Sequence, residues 1–486
     1  MMNTLEAETC YRALSARDRR FDGLFFVGVS TTGIYCRPVC TARTPRQERC
    51  AFYRTAVEAE GAGFRACLLC RPELAPGSAP VDSVPRLVAA AVSRIEGGFL
   101  NESSIDELAS ELGVTSRHLR RAMETELGVS PVELAQSRRL ALAKQLLQDT
   151  SLPLAEIAFA SGFQSVRRFN ALFQSRFGRP PSELRRKGSE GRGARSLVLR
   201  LDYRPPLDWE QILRFLRGRA IPGVEHVGDS DYRRTVRLGG RTGWLVVRHD
   251  PKRPALLAEV SLSLAGVLMQ VASRLRALFD LDAQPEVIAE CLGRDELLGK
   301  WVRVHPGLRV LGAFDPFEMT VRAILGQQVS VRAATTLSGR LVARLGEPVD
   351  SPHAECSRLF PLPETLAAAT EGDIATLGMP GARARSLLAV ARAVAEGSVR
   401  LDRHADVDKT MAGLEALPGI GAWTAHYVAM RALRWPDAFP ASDLGIRKAL
   451  GGVTAKAAAE RAEAWRPWRS YAAIHLWTSL SEGAGG

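Results

Sequence analysis

The stretch LPGIGAWTAHYVAMRA at 417–432, followed by PASDLGIRK at 440–448, decides how the second half of this 486-residue chain folds. Gly419 and Gly421 bracket a tight turn between two helical runs, and a residue without a side chain there lets backbone N–H groups approach a phosphate oxygen closely. The helix starting just beyond adds the favourable end of its dipole. A plain helix-breaking turn would use similar glycines, so the pair gains meaning from its spacing to a lone carboxylate, Asp443. The pattern predicts a helix-hairpin-helix unit that grips a DNA backbone beside that carboxylate. Outward from it, the chain reads as helical from the cap at Asp315, Pro316 and Glu318 through VRAILGQQVSVRAATTLSGRLVARLG at 321–346 and ARSLLAVARAVAEG at 384–397, which ends on Gly397.

Toward the N-terminus the texture changes twice. Leu197, Leu199 and Leu201 alternate with polar residues, and Gly239-Gly240 lies between two further alternating runs, which predicts a small antiparallel sheet with helices. Before it, helical stripes occur in duplicate. Ile105, Leu108, Ala109 and Leu112 lead to a break at Gly113 and then to Leu119, Met123 and Leu127. Leu154, Ile157 and Ala158 lead to Gly162 and then to Phe169, Leu172, Phe173 and Phe177. Two helix-turn-helix units follow, joined by a helix that opens on the capping box of Ser130, Pro131 and Glu133. Arg117, Arg120, Arg121, Arg167 and Arg168 fall on the second helix of each unit, where DNA-reading side chains belong. A helical bundle with merely solubilising arginines would leave that coincidence unexplained.

APGSAPVDS at 75–83 and KGSEGRGARS at 187–196 read as linkers. The expected architecture is therefore multidomain α+β: a small four-cysteine zinc domain at 1–76, an all-α paired helix-turn-helix domain at 84–187, a small antiparallel α/β domain at 197–285 and an all-α helix-hairpin-helix domain at 286–486.

The zinc assignment rests on Cys36, Cys40, Cys67 and Cys70, set in TTGIYCRPVC and GFRACLLCRP. Thiolates three or four residues apart can turn back on one ion, and two such pairs complete the tetrahedral sulfur cage that Zn²⁺ prefers. Binding of that kind contributes about 10 to 16 kcal/mol, a large sum for a segment with few apolar runs. Spacing alone favours a purely structural site. Cys10, Cys50, Cys291 and Cys356 lack any pair spacing and read as buried spectators.

A formal charge of +12 is spread over all segments. That balance suits a polyanionic partner such as double-stranded DNA. No run of eighteen apolar residues occurs and no secretory leader opens the sequence, so the expectation is a cytoplasmic protein with no membrane partner.

Three resemblances sharpen these expectations. Residues 85–187 resemble the AraC-type DNA-binding domain, which implies two recognition helices in successive major-groove segments, a promoter operator and RNA polymerase as a further partner. LDYRPPLDW at 201–209, ECLGR at 290–294, FEMTVRAILGQQVSV at 317–331, LPGIGAWTAHY and WRPWRSYAAIHLW at 465–477 resemble the helix-hairpin-helix DNA glycosylases, most closely the AlkA-type 3-methyladenine DNA glycosylase II family. The resemblance implies that Asp443 is the catalytic carboxylate, that Trp423, Tyr427 and Trp477 line the base pocket, and that 3-methyladenine and 7-methylguanine are released without a cofactor. Relatives that also cut the strand carry a Lys where this chain has Trp423, which implies a monofunctional hydrolase. Where the family pushes a Leu into the DNA stack this chain has Gln328, expected to fill the gap left by a flipped base.

FDGLFFVGVSTTGIYCRPVCTAR at 21–43 and FYRTAVEAEGAGFRACLLCRPE at 52–73 resemble the N-terminal domain of the Ada family. That likeness implies that Cys36 accepts a methyl group from a DNA methylphosphotriester, with Arg43, Arg46 and Arg65 as phosphate contacts, and that this methylation switches the adjoining regulator. Ada's Pro-Cys-His-Arg motif for methylated guanine does not occur. An alternative remains: a transcriptional regulator whose glycosylase module serves only as a DNA-binding platform.

Overall fold

A computed structural model of the chain describes residues 6–76, 86–150, 152–185, 196–402 and 405–483. The two linker stretches predicted at 75–83 and 187–196 lie almost wholly outside these residues. Two compact units are present. One comprises Met1–Pro205, Leu238–Arg241 and Asp250–Ser273, and the other Pro206–Arg237, Thr242–His249 and Arg274–Gly486.

The first unit begins with α1 (Ala7–Ala16), β1 (Phe26–Val29), β2 (Ile34–Cys36), β3 (Cys50–Tyr53), α2 (Ala56–Gly61) and β4 (Arg65–Ala66). The strands form one sheet in the order β3-β1-β2-β4. β2 and β4 run parallel, with Ile34 opposite Arg65 and Tyr35 opposite Ala66, so the next residues along, Cys36 and Cys67, leave the sheet side by side. The apolar core here is two small clusters, one built on Cys10, Ala13, Leu14, Phe25 and Val27 and the other on Phe26, Tyr35 and Ala59. Among the described residues seven α-helices follow: α3 (Arg86–Glu96), α4 (Ile105–Glu111), α5 (Ser116–Leu127), α6 (Pro131–Asp149), α7 (Leu154–Ala160), α8 (Val166–Phe177) and α9 (Pro181–Leu184). The duplicated pattern of the sequence is a duplicated structure. Gly113 and Gly162 adopt φ of +72° and +85° at the two turns, a conformation that favours glycine. Leu119 and Met123 of α5, and Phe169, Phe173 and Phe177 of α8, point inward. Ser130 and Glu133 form the reciprocal capping box that starts α6.

Then come β5 (Ser196–Asp202), α10 (Trp209–Arg217), β6 (Glu225–Val227), β7 (Asp231–Leu238), β8 (Arg241–His249) and β9 (Ala255–Ser261). In the first unit β5 pairs antiparallel with β9, and in the second β6 pairs antiparallel with β7. Leu197, Leu199 and Leu201 are all buried, as the alternation predicts. Gly239 and Gly240 take φ of +53° and +71°, the double positive value of a tight hairpin turn.

The rest of the second unit is mainly helical. Asp315 accepts hydrogen bonds from the N–H groups of Phe317 (2.8 Å) and Glu318 (3.2 Å), which starts helix Pro316–Leu325. That helix packs with Val331–Leu345, Gly381–Ala395 and Ala422–Arg431 around a core that includes Ile324, Leu341, Leu387, Leu414 and Val428. Leu444–Ala449 and Arg469–Gly483 pack on each other and complete the arrangement that positions the site. Among the described residues no helix is long and apolar enough to cross a membrane.

Candidate functional site

Asp443 is the N-cap of the short helix Leu444–Ala449, where its Oδ1 accepts from the Ile446 N–H at 2.9 Å. Two indoles complete its surroundings. Trp423 Nε1–H donates to Oδ2 at 2.9 Å, and Trp477 Nε1–H donates to Oδ1 at 2.9 Å. Three N–H groups therefore converge on one half-buried carboxylate, an arrangement that fixes its orientation. The indoles reach it because Trp423 opens helix Ala422–Arg431 and Trp477 lies on helix Arg469–Gly483. Trp423 stacks on Tyr427, one helical turn on, with ring centroids 5.2 Å apart and planes within 10°. Tyr427 in turn meets Trp477 at 6.3 Å. All four residues named from the sequence are thus in one cluster.

The neighbouring loops are tied to it. Gly419 has φ +75°, and a Cβ there would lie 2.2 Å from Ser386 Oγ, so this turn closes only around glycine. A Cβ on Gly421 would meet nothing within 4 Å, so its missing side chain matters only to whatever approaches from outside. Gln327 Nε2–H bridges the Gly419 carbonyl (3.0 Å) and Thr424 Oγ1 (2.9 Å), and Arg383 donates to the Gln327 carbonyl at 2.5 Å. Gln328, next in the chain, is exposed and held at φ +54°, a conformation costing a side-chain-bearing residue on the order of 1 kcal/mol.

Sequence reasoning missed the wall behind Tyr427. Arg431, fully buried, donates to the Tyr427 hydroxyl at 3.1 Å and lies 4.9 Å from the centre of the Phe215 ring. Arg219 sits 3.9 Å over the same ring. Burial would raise the Tyr427 hydroxyl, but the guanidiniums of Arg431, Arg219 and Arg322 outweigh it and hold the group below the ordinary tyrosine value. Phe215 and Arg219 come from α10 and the residues just after it, two hundred positions before Tyr427, where periodicity gives no hint of a pocket.

A second site lies in the first unit. The sulfurs of Cys36, Cys40, Cys67 and Cys70 all fall within 4.8 Å of one another. Cys40 and Cys67 are buried, and Cys36 and Cys70 half-buried. Packed this closely, the thiols compete for protons: mutual hydrogen bonding draws Cys40 down to about 7 and Cys67 lower still, and pushes Cys36 and Cys70 well above the ordinary thiol value. A divalent cation resolves that competition by letting every sulfur ionise. The donor set, four cysteine sulfurs within 4.8 Å of one another, fits one Zn²⁺. Outer contacts differ among the sulfurs. Cys70 Sγ accepts from the Arg37 N–H (3.3 Å), Cys67 Sγ from the Leu69 N–H (3.4 Å) and Cys40 from the Ala42 N–H. Among the described residues no backbone N–H donates to Cys36. Lys144 of α6, fully buried, caps the Cys67 carbonyl at 3.1 Å and pairs with Glu73 at 2.8 Å.

Arg43, Arg46 and Arg65 are exposed on the zinc module, and Arg117, Arg120, Arg121, Arg167 and Arg168 on α5 and α8. Arg46 pairs with Glu48 at 4.0 Å, and several of the eight lie far apart along the chain.

Four family models match the chain: the metal binding domain of Ada over 9–73, a helix-turn-helix domain over 108–187, the AlkA N-terminal domain over 198–315, and the HhH-GPD superfamily base excision DNA repair protein over 321–469. The "Probable bifunctional transcriptional activator/DNA repair enzyme AlkA" of Mycobacterium tuberculosis is 42% identical over 482 residues, covering 97% of this chain and 96% of that protein. DNA-3-methyladenine glycosylase 2 of Escherichia coli K12 is 40% identical over 278 residues, 57% of this chain and 95% of its own length. Among solved structures, a 3-methyladenine DNA glycosylase from Archaeoglobus fulgidus shares the fold, with TM-score 0.52 and 23% identity over 58% of this chain and 97% of its own. The chain belongs to the AlkA-type bifunctional transcriptional activator/DNA repair enzymes, a DNA alkylation repair glycosylase fused to an Ada-type zinc domain and an AraC-type helix-turn-helix domain.

Proposed function

We propose that the second unit hydrolyses the N-glycosidic bond of alkylated bases such as 3-methyladenine and 7-methylguanine, with Asp443 as the catalytic carboxylate and Trp423, Tyr427 and Trp477 as the base pocket. The observation that carries this reading is the Asp443 carboxylate held by two indole N–H groups at 2.9 Å. Bond breaking builds positive charge on the sugar, and a fixed anion beside it lowers the barrier without reorganising. With three hydrogen bonds already accepted, the carboxylate suits electrostatic stabilisation and the orientation of water better than proton abstraction. Stacked aromatic faces attract a cationic purine and ask for no base-specific code. Trp423 stands where a lyase would need an amine, so the chain leaves an abasic site uncut. Gln328 fills the vacated stack, while Gly419 and Gly421 present N–H groups to the backbone.

In the first unit the proposed methyl acceptor is Cys36. A hydrogen bond to a thiolate stabilises the charged form and dulls it as a nucleophile. Cys40, Cys67 and Cys70 each accept at least one from a backbone N–H, which leaves Cys36 the most reactive sulfur. Its Sγ forms a bond to the methyl carbon, the methyl C–O bond breaks, and the phosphate leaves as an anionic diester. Methylation removes one negative charge, so affinity for the DNA backbone rises through Arg43, Arg46 and Arg65, and Arg117, Arg167 and Arg168 engage an operator for RNA polymerase. The modules carrying these roles are taken as 1–76, 84–187, 197–285 and 286–486, acting in the cytoplasm. Labelled methyl transfer from methylphosphotriester DNA tests this half: uptake by the wild type and none by Cys36→Ser is expected, and uptake by the variant would sink the assignment.

A further inference from the structure

Arg37 directly follows the proposed methyl acceptor, and its side chain is buried, 5% exposed. Its Nε–H donates to Asp22 Oδ1 at 2.8 Å, its Nη2 to Asp22 Oδ2, and its Nη1 to Cys70 O at 3.2 Å and to Asp202 Oδ2 at 2.9 Å. Asp202 is not part of the zinc module. It ends β5, inside the segment matching the AlkA N-terminal domain, is 3% exposed, and is braced by Arg200 Nε at 2.7 Å. Two residues on, buried Arg204 donates to the Asp22 carbonyl at 3.0 Å. Charged groups this deeply buried persist only when paired, so each anchors the other.

We infer that Asp202, contributed by the glycosylase part of the chain, is a positioning residue of the methyl-acceptor centre, acting through Arg37. This rests on the reading of Cys36 given above. The amide of Arg37 is the one that caps Cys70 Sγ, so the clamp on its guanidinium fixes which sulfur is capped and which is not. Asp202 also shares the positive charge of Arg37. Without it, the guanidinium gains freedom beside an anionic cage, stabilises the thiolates and lowers the nucleophilicity of Cys36. The methyl-acceptor centre is therefore completed by a strand of the repair enzyme, and methyl acceptance depends on the fusion.

The test uses the full chain with Asp202→Asn and the charge-retaining Asp202→Glu. Cadmium NMR of the cadmium-loaded protein reads the cage directly, and mass spectrometry follows methylation of Cys36 by methylphosphotriester DNA and by methyl iodide. Asp202→Asn is expected to shift the cadmium resonance and slow methylation by both donors about tenfold, with Asp202→Glu recovering part of each. If Asp202→Asn fails to hold metal, Asp202→Glu carries the test through a smaller shift. A wild-type resonance and wild-type methylation rates in the variants, even with lowered thermal stability, would reduce Asp202 to a docking contact and overturn the inference. Failure of the wild type to take a methyl group from the phosphotriester would instead sink the acceptor reading, while the cadmium resonance and the methyl iodide rate still decide the role of Asp202.

Discussion

The zinc module and the Asp443 cluster each centre on an anion, but they hold it by different means. Around the four sulfurs the apolar core is split into two small clusters, and the charges are pulled together by a cation the segment must bind. Around Asp443 the framework is a packed helical core, and the carboxylate is held by neutral N–H donors on helices that core already fixes. The first site is thus as stable as its metal, and the second as stable as its packing.

Chelation separates the two most sharply. Removing zinc is expected to cost the first module about 10 to 16 kcal/mol and unfold it, leaving base release by the second unit intact. Hydrogen exchange over 26–66 alongside a glycosylase assay would show it, and joint loss would break the contrast. Acid is the next lever. His475 lies on the helix that carries Trp477 and is 4% exposed; burial, with His305 nearby, pushes it down to about 4. Folded His475 stays neutral while the unfolded chain takes a proton below about 6.5, so stability falls as pH drops from there toward 4, by on the order of 3 kcal/mol in full. His475→Gln should flatten that fall in the hydrogen exchange of helix Arg469–Gly483, and an unchanged profile would assign the acid sensitivity elsewhere.

Smaller effects probe the pocket itself. Trp423→Phe keeps a ring against Tyr427 but deletes one charged hydrogen bond to Asp443, worth about 1.5 to 3 kcal/mol, so single-turnover base release should fall roughly ten- to hundredfold. Gln328→Ala should slow release from duplex DNA several-fold and from single-stranded DNA hardly at all, because only the duplex must be unstacked. Equal rates on duplex would remove Gln328 from that role.

The zinc cage was legible because its four ligands are two local pairs and one parallel strand register joins them. The paired helix-turn-helix units were legible for the same reason, since Gly113, Gly162 and the apolar stripes are short-range signals. Trp423, Tyr427 and Asp443 stand within one motif, but their hydrogen bonds do not show in it. Phe215 and Arg219 were invisible, because their roles arise only when segments about two hundred residues apart are packed together, and Gln327, though inside a quoted motif, finds its partners 92 and 97 residues away. The Arg37–Asp202 pair was hidden likewise: Asp202 reads as the polar end of a strand, and nothing local announces a partner 165 residues away.

The most direct test is release of 3-methyladenine and 7-methylguanine from methylated duplex DNA by the full chain and by Asp443→Asn, with strand breaks scored before and after alkali. The account predicts release by the wild type, breaks only after alkali, and a loss of about a hundred- to a thousandfold in the variant. Equal release by Asp443→Asn, or breaks without alkali, would contradict it.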